Sequence, residues 1–250
     1  MKMKSLVAVA VSAVMLTGCQ NLDHGMLASS GMQLFKAATL NDSDVKQLSD
    51  QSCRDMDAQN KIAPASSQYA KRLNKIAKAL GHEINGTPVN YKVYLTDDVN
   101  AWAMANGCVR VYSGLMNMMN DNEVEGVLGH EMGHVALGHS RKAMQVAYAA
   151  VAARTAAASA GGVAAQLSDS QLADLGQKLL NSQFSQHQES QADDFSYELL
   201  KKRNIKTEGL ATSFEKLAKL GSGETSMFDS HPPSKERAEH VRNRIAADKK

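Results

Sequence analysis

Gly129-His130-Glu131-Met132-Gly133-His134-Val135-Ala136-Leu137-Gly138-His139-Ser140 puts three histidines and a glutamate into a dozen residues. Asn120-Asp121 supply a helix-start signal just upstream, so the stretch reads as part of one helix. An α-helix turns about 100° per residue, which leaves His130 and His134 about 40° apart and projecting together. Glu131 stands about 100° from His130, within reach of a water on a shared metal. His-Glu-x-x-His on a helix therefore carries two metal ligands and a general base. His139 falls about 180° from His130 and about 140° from His134, so an unbroken helix points it away and phase sets it aside. The other local route, a glycine at 137 and a histidine at 140, is closed because the chain has Leu137 and Ser140. Two side chains cannot hold a catalytic zinc, so a further ligand must come from elsewhere.

Glu189-Ser190-Gln191-Ala192-Asp193 answers that need, 55 residues beyond His134 on a second predicted helix. Glu189 and Asp193 are spaced i and i+4 and share one face. Carboxylates on a helix are ordinarily solvated, and it is the pairing with His-Glu-x-x-His that lifts these two. Two histidines and a carboxylate form a catalytic zinc set that leaves the fourth position for water. Glu189 would complete the ligands, and Asp193 would accept the free N–H of a ligand histidine and orient its ring. His187 is a rival, but it sits about 200° around the helix from Glu189.

Outward from these motifs, the chain has 250 residues, 43% of them hydrophobic, enough for one sizeable core. Its formal charge is +2, and without Lys2 and Lys4 it would carry 26 basic against 26 acidic residues. Nucleic acid is excluded as a partner, since it leaves a basic footprint, and 5% aromatics provide few stacking platforms. Met1 to Lys4 followed by an apolar run from Leu6 to Leu16 reads as an export signal, too short to span a bilayer. Leu16-Thr17-Gly18-Cys19 resembles the bacterial lipobox, which implies a signal peptide over 1–18 and a lipidated Cys19. More than one acyl chain is needed for firm anchoring, and a lipoprotein terminus supplies it. Gln20 and Asn21 stand where lipoproteins retained in the inner membrane carry Asp, so the expected site is the outer membrane, facing the periplasm. Residues 19–45 are expected to form the lipidated N-terminus and tether, and 46–250 the folded domain. Cys53 and Cys108 remain, and in an oxidising compartment they suggest one disulfide. Closing a loop of that length stabilises by about 4 kcal/mol in the chain-entropy treatment.

Apolar residues at Tyr69, Leu73, Ile76, Ala77 and Leu80 predict a helix over 66–80, stopped by Gly81. Val89 to Leu95 and Cys108-Val109-Arg110-Val111-Tyr112 read as strands. Ala143 to Ala165 is alanine-rich. Arg154 near its centre would cost about 2.5–3.5 kcal/mol in a bilayer, so a helical hairpin is expected rather than a span. Further helices are expected at about 169–183, 187–203, 207–220 and 234–247. The fold class is α+β, mainly helical with a small sheet.

His130 to Ser140 followed by Glu189 to Asp193 resembles the HtpX and CAAX-prenyl-protease-like zinc metallopeptidases, and in particular their small periplasmic lipoprotein members. The likeness runs from about Tyr69 to Arg244 and takes in Ser230-His231-Pro232-Pro233, with Arg237 four residues on as a supporting residue beside the ligands. It implies one Zn²⁺ per chain. It also implies that His231 either stabilises the oxyanion or fills the open metal position at rest; otherwise His231 is a surface residue before a proline turn. Asn100 to Gly107 stands in the place of the family's Asn-Ala segment, which leads into an edge strand that binds substrate. That places substrate on Cys108 to Tyr112, although Ala105 and Asn106 replace the proline and one glycine of the usual turn. Trp102 is expected in the core. The expected activity is zinc-dependent hydrolysis of peptide bonds in unfolded or misfolded envelope proteins, with Glu131 as base. A chaperone-like binding lipoprotein with a self-capped metal site is the alternative.

Overall fold

The computed structural model describes residues 40–152, 167–220, 231 and 235–249. The signal peptide, Cys19, most of the tether, the second half of the alanine-rich stretch and the Pro232-Pro233 turn lie outside the described residues. The folded part starts earlier than the expected boundary at 46: Leu40 and Val45 are buried, and helix α1 (Asp42–Gln59) begins with an Asn41 capping box. That helix was not read from the sequence. It is polar overall, and only a narrow stripe of Val45, Leu48, Cys53 and Met56 turns inward.

Helix α2 (Gln68–Leu80) leads through a hairpin, β1 (Glu83–Ile84) and β2 (Thr87–Pro88), into β3 (Asn90–Tyr94). Next come β4 (Ala101–Ala103), β5 (Cys108–Tyr112) and the short α3 (Ser113–Met118). The three-stranded sheet has the order β3-β5-β4, with β5 parallel to β3 and antiparallel to β4. This corrects the expectation for Cys108–Tyr112. Those residues form the central strand, all five are buried, and both sides are paired, so no substrate can be added there. Beyond β3 the edge is taken up by the Ile62–Tyr94 bridge, with Ala63 N–H bonded to the Val93 carbonyl at 2.9 Å. The remaining edge among the described residues is β4.

Helix α4 (Asp121–Ala136) carries the His-Glu-x-x-His motif through the middle of the molecule. Asn120 and Glu123 cap it reciprocally, which satisfies two otherwise unpaired N–H groups at its start. Nearly every side of it is covered, so it lacks the apolar stripe of a surface helix. Gly126, Gly129 and Gly133 let neighbours come close: a Cβ on Gly129 would lie 2.6 Å from Ser196 Oγ, and one on Gly133 3.0 Å from Ala192 Cα. That close approach brings α7 (Gln186–Lys202) against the motif. Helices α5 (His139–Ala152), α6 (Asp169–Leu180), α8 (Glu208–Leu217) and α9 (Lys235–Asp248) complete the fold; the last three lie close to their expected ranges, and α5 begins ahead of the alanine-rich stretch. Among the described residues no helix is long and apolar enough to cross a membrane.

The main core joins α2, the sheet, α4, α7, α8 and α9. A second cluster packs α1 on α5 and α6 through Leu48, Met144, Tyr148 and Leu175. The expected Cys53–Cys108 disulfide is present and ties α1 to β5. Beside it, Arg110 is almost fully buried, its Nε 2.8 Å from Asp57 Oδ1. The one charged residue of the central strand thus serves α1.

Candidate metal centre

Helix α4 presents His130 and His134 side by side, both fully buried, as their i and i+4 spacing predicts. Glu189 and Asp193 come from the first half of α7, and His231 from the approach to α9. His130 Nε2 and His134 Nε2 are 3.1 Å apart. His134 Nε2 is 3.3 Å from Glu189 Oε1, and His130 Nε2 is 3.6 Å from Glu189 Oε2. His231 Nδ1 is 3.3 Å from His130 Nε2 and 2.9 Å from Glu189 Oε1. Four ligands at bond lengths of about 2.0–2.1 Å around a tetrahedral ion sit about 3.3 Å from one another. The four side chains fit such an ion, and the donor set of imidazoles and one carboxylate suits zinc.

Glu131 is buried beside them, its Oε1 3.5 Å from His231 Nε2 and without a hydrogen-bond partner among the described residues. Burial raises its pKa, moderated by the charges of His231 and His130. A carboxyl in that state is suited to hold and release a proton. Glu189 goes the other way: burial opposes its charge, yet hydrogen bonds from His134 and His231 hold it far below the usual carboxylate range.

The outer contacts are as well built as the inner ones. Asp193 Oδ1 accepts from His130 Nδ1 at 2.8 Å, the orienting role expected of it. Arg237 donates to Asp193 through Nε at 2.7 Å and Nη2 at 2.6 Å, and its Nη1 pairs with Glu189 Oε2 at 2.6 Å. Its guanidinium lies 4.3 Å over the Phe214 ring. His187 is exposed and takes no part.

His139 departs from the phase argument. Helix α4 ends at Ala136, and Gly138 at φ +76° turns the chain before α5 begins at His139. The phase of an unbroken helix therefore does not reach it, and His139 Nδ1 lies 3.0 Å from His134 Nδ1. Glycine after the last turn is a helix-stop signal, and that was the clue in the sequence. Phe184, which nothing in its sequence context marked, stacks on His134 with ring centroids 3.9 Å apart and on His231 at 5.2 Å.

Strand β4 lines a groove beside Glu131 and His231 whose apolar walls include Trp102, Met104, Met144, Leu179 and Phe184. Register pairs Trp102 with Arg110, and the flanking bonds run from Tyr112 N–H to the Asn100 carbonyl and from Met104 N–H to the Cys108 carbonyl. By antiparallel alternation, Ala101 and Ala103 turn their backbone groups outward. Asn100 Oδ1 accepts from Ala101 N–H at 2.8 Å, and Ser140 Oγ donates to the Ala103 carbonyl at 3.1 Å. Among the described residues, the Ala101 carbonyl and Ala103 N–H remain for an added strand.

A buried His-Glu-x-x-His helix, a buried glutamate brought to it from a later helix and a sheet edge beside them define a metallopeptidase. The chain belongs to peptidase family M48, whose pattern matches residues 66–245. It is similar to metalloprotease YcaL of Escherichia coli, 63% identical over 250 residues covering 98% of each chain. It is equally similar to metalloprotease LoiP of the same organism, 63% identical over 249 residues and 99% of each. A more distant likeness, 27% identity, links 72% of this chain to 39% of the β-barrel assembly-enhancing protease of Yersinia pestis.

Proposed function

We propose that the protein is a zinc-dependent endopeptidase of the bacterial envelope, anchored by lipid on Cys19 in the outer membrane and facing the periplasm. Its substrates are unfolded or misfolded envelope proteins. The observation that carries the catalytic reading is the convergence of His130, His134 and Glu189 on one point, with the buried Glu131 carboxylate beside them and free of hydrogen bonds at Oε1 among the described residues. Zinc bound there would supply Lewis acidity, polarising the scissile carbonyl and making water a nucleophile near neutral pH. Glu131 takes a proton from the attacking water as the new C–O bond forms, and delivers it to the amine as the C–N bond breaks. His231, once moved off the ligand cluster, would hydrogen-bond to the developing oxyanion and so stabilise the transition state more than the ground state. Substrate lies along β4 and pairs with Ala101 and Ala103, which requires an extended segment and so favours unfolded chains. The Cys53–Cys108 disulfide fits an oxidising compartment. The likeness to the β-barrel assembly-enhancing protease of Yersinia pestis supports substrates in the envelope.

A second reading has its own support, because His231 Nδ1 occupies the place of a fourth ligand. In that state the site is self-capped, and the protein binds unfolded chains while cleaving little. Zinc content and casein cleavage of wild type, Glu131→Gln and His231→Ala separate the two readings. Glu131→Gln should keep zinc and lose cleavage by about 10²–10⁴-fold, the contribution typical of a general base. Undiminished cleavage in that variant would remove Glu131 from the mechanism. Faster cleavage in His231→Ala marks a cap, and slower cleavage marks oxyanion stabilisation.

A further inference from the structure

We infer that His139 is a positioning residue for the metal ligand His134, accepting a hydrogen bond at Nδ1 that fixes the ligand's tautomer and ring direction. The inference rests on the metal-site reading above and concerns a residue outside the ligand set.

His134 Nε2 faces the cluster, 3.1 Å from His130 Nε2 and 3.3 Å from Glu189 Oε1. To ligate there, Nε2 must offer its lone pair, which places the ring proton on Nδ1. That Nδ1–H lies 3.0 Å from His139 Nδ1. Only one of the two nitrogens can donate, so His139 accepts and carries its own proton on Nε2. A hydrogen-bonded line then runs from His139 to His134, beside the line from Arg237 through Asp193 to His130.

The two lines differ in charge. His130 leans on a carboxylate braced by Arg237, whereas His134 leans on a neutral imidazole. Each ligand thus has the outer partner that metal-bound histidines nearly always need. The geometry was built for this contact: Gly138 at φ +76° breaks α4, and His139, only 7% exposed, is delivered back under its own motif. Phe184, stacked on the face of His134, fixes the ring plane while His139 fixes the ring edge.

The test uses the full purified chain and zinc alone, with affinity read by competition against a chromophoric chelator. His139→Leu should weaken zinc binding roughly 10- to 100-fold, the usual loss for an outer partner of a ligand. His139→Asn, whose Oδ1 stands near the place of Nδ1, should restore most of that affinity. A packing role alone would not tell the two variants apart. Should His139→Leu fail to fold, the wild type still decides, through ring ¹⁵N spectra of the zinc-loaded chain. These should show the proton on Nδ1 of His134 and on Nε2 of His139. Wild-type affinity in His139→Leu, equal loss in both variants, or a proton on His139 Nδ1 overturns the inference. A wild type that binds no zinc overturns the metal site itself and this inference with it.

Discussion

Arg237 holds two buried carboxylates in their charged state, pairing with Glu189 and Asp193 while its face rests on Phe214. Burial opposes the charge of Asp193, and the hydrogen bonds from Arg237 and His130 still keep its carboxyl below the usual range. Removing one partner of a buried ion pair leaves the other uncompensated, at a cost of about 3–5 kcal/mol. Arg237→Met should therefore lower the unfolding free energy of the metal-free chain, read from urea titration, by that amount, and by less once zinc neutralises Glu189. Equal losses with and without zinc would mean that Arg237 acts on Asp193 alone. At this scale His130, His134, Glu131 and Glu189 were legible, because i and i+4 spacing is a property of the helix itself. His139 was not, because its place depends on a turn after the helix, and Phe184 was not, because stacking has no sequence period.

Strand β4 is the element on which the proposed substrate binding depends, and it was the hardest to read. Three residues, Ala101-Trp102-Ala103, carry no alternating pattern long enough to mark a strand. Cys108–Tyr112 reads clearly as a strand and has the expected bounds, but a strand's own residues do not say whether its sides are paired. Pairing depends on which segments arrive beside it. Proline is tolerated on a sheet edge where the N–H points outward. Ala103→Pro should therefore leave zinc content unchanged and raise the KM for an extended peptide by about 2- to 10-fold, the worth of one hydrogen bond. An unchanged KM would take β4 out of substrate binding. Helix α1 was missed for a different reason, since its apolar stripe is narrow and most of its residues are polar. The Asn85-Gly86 turn, with both residues at positive φ, was a readable hairpin signal at β1 and β2.

In the whole molecule, α1 is clamped to the sheet by the disulfide and by Asp57, which bonds Arg110, Lys92 and Tyr94. Burial works against the Asp57 carboxylate, but hydrogen bonds from Arg110 and Lys92 bring its pKa down to about 2. A carboxyl depressed on folding stabilises above its unfolded pKa of about 4, and that contribution is lost as pH falls towards 2. Denaturation midpoints of wild type should drop through that window, with a shallower acid limb in Asp57→Asn. Parallel acid limbs would show that the clamp contributes nothing to the acid response. The sequence by itself determined the helix that carries the metal motif, the second carboxylate motif, the disulfide pair, the two longer strands and the bounds of the helices after residue 168. Each is encoded in local spacing or in the chemistry of residue types. Only the tertiary structure decided which strand lies at the sheet edge, where Arg110 finds its counter-charge, and that His139 returns beneath His134. Those depend on contacts between segments distant in the chain, or on a single glycine turn, and hydrophobic period does not record either.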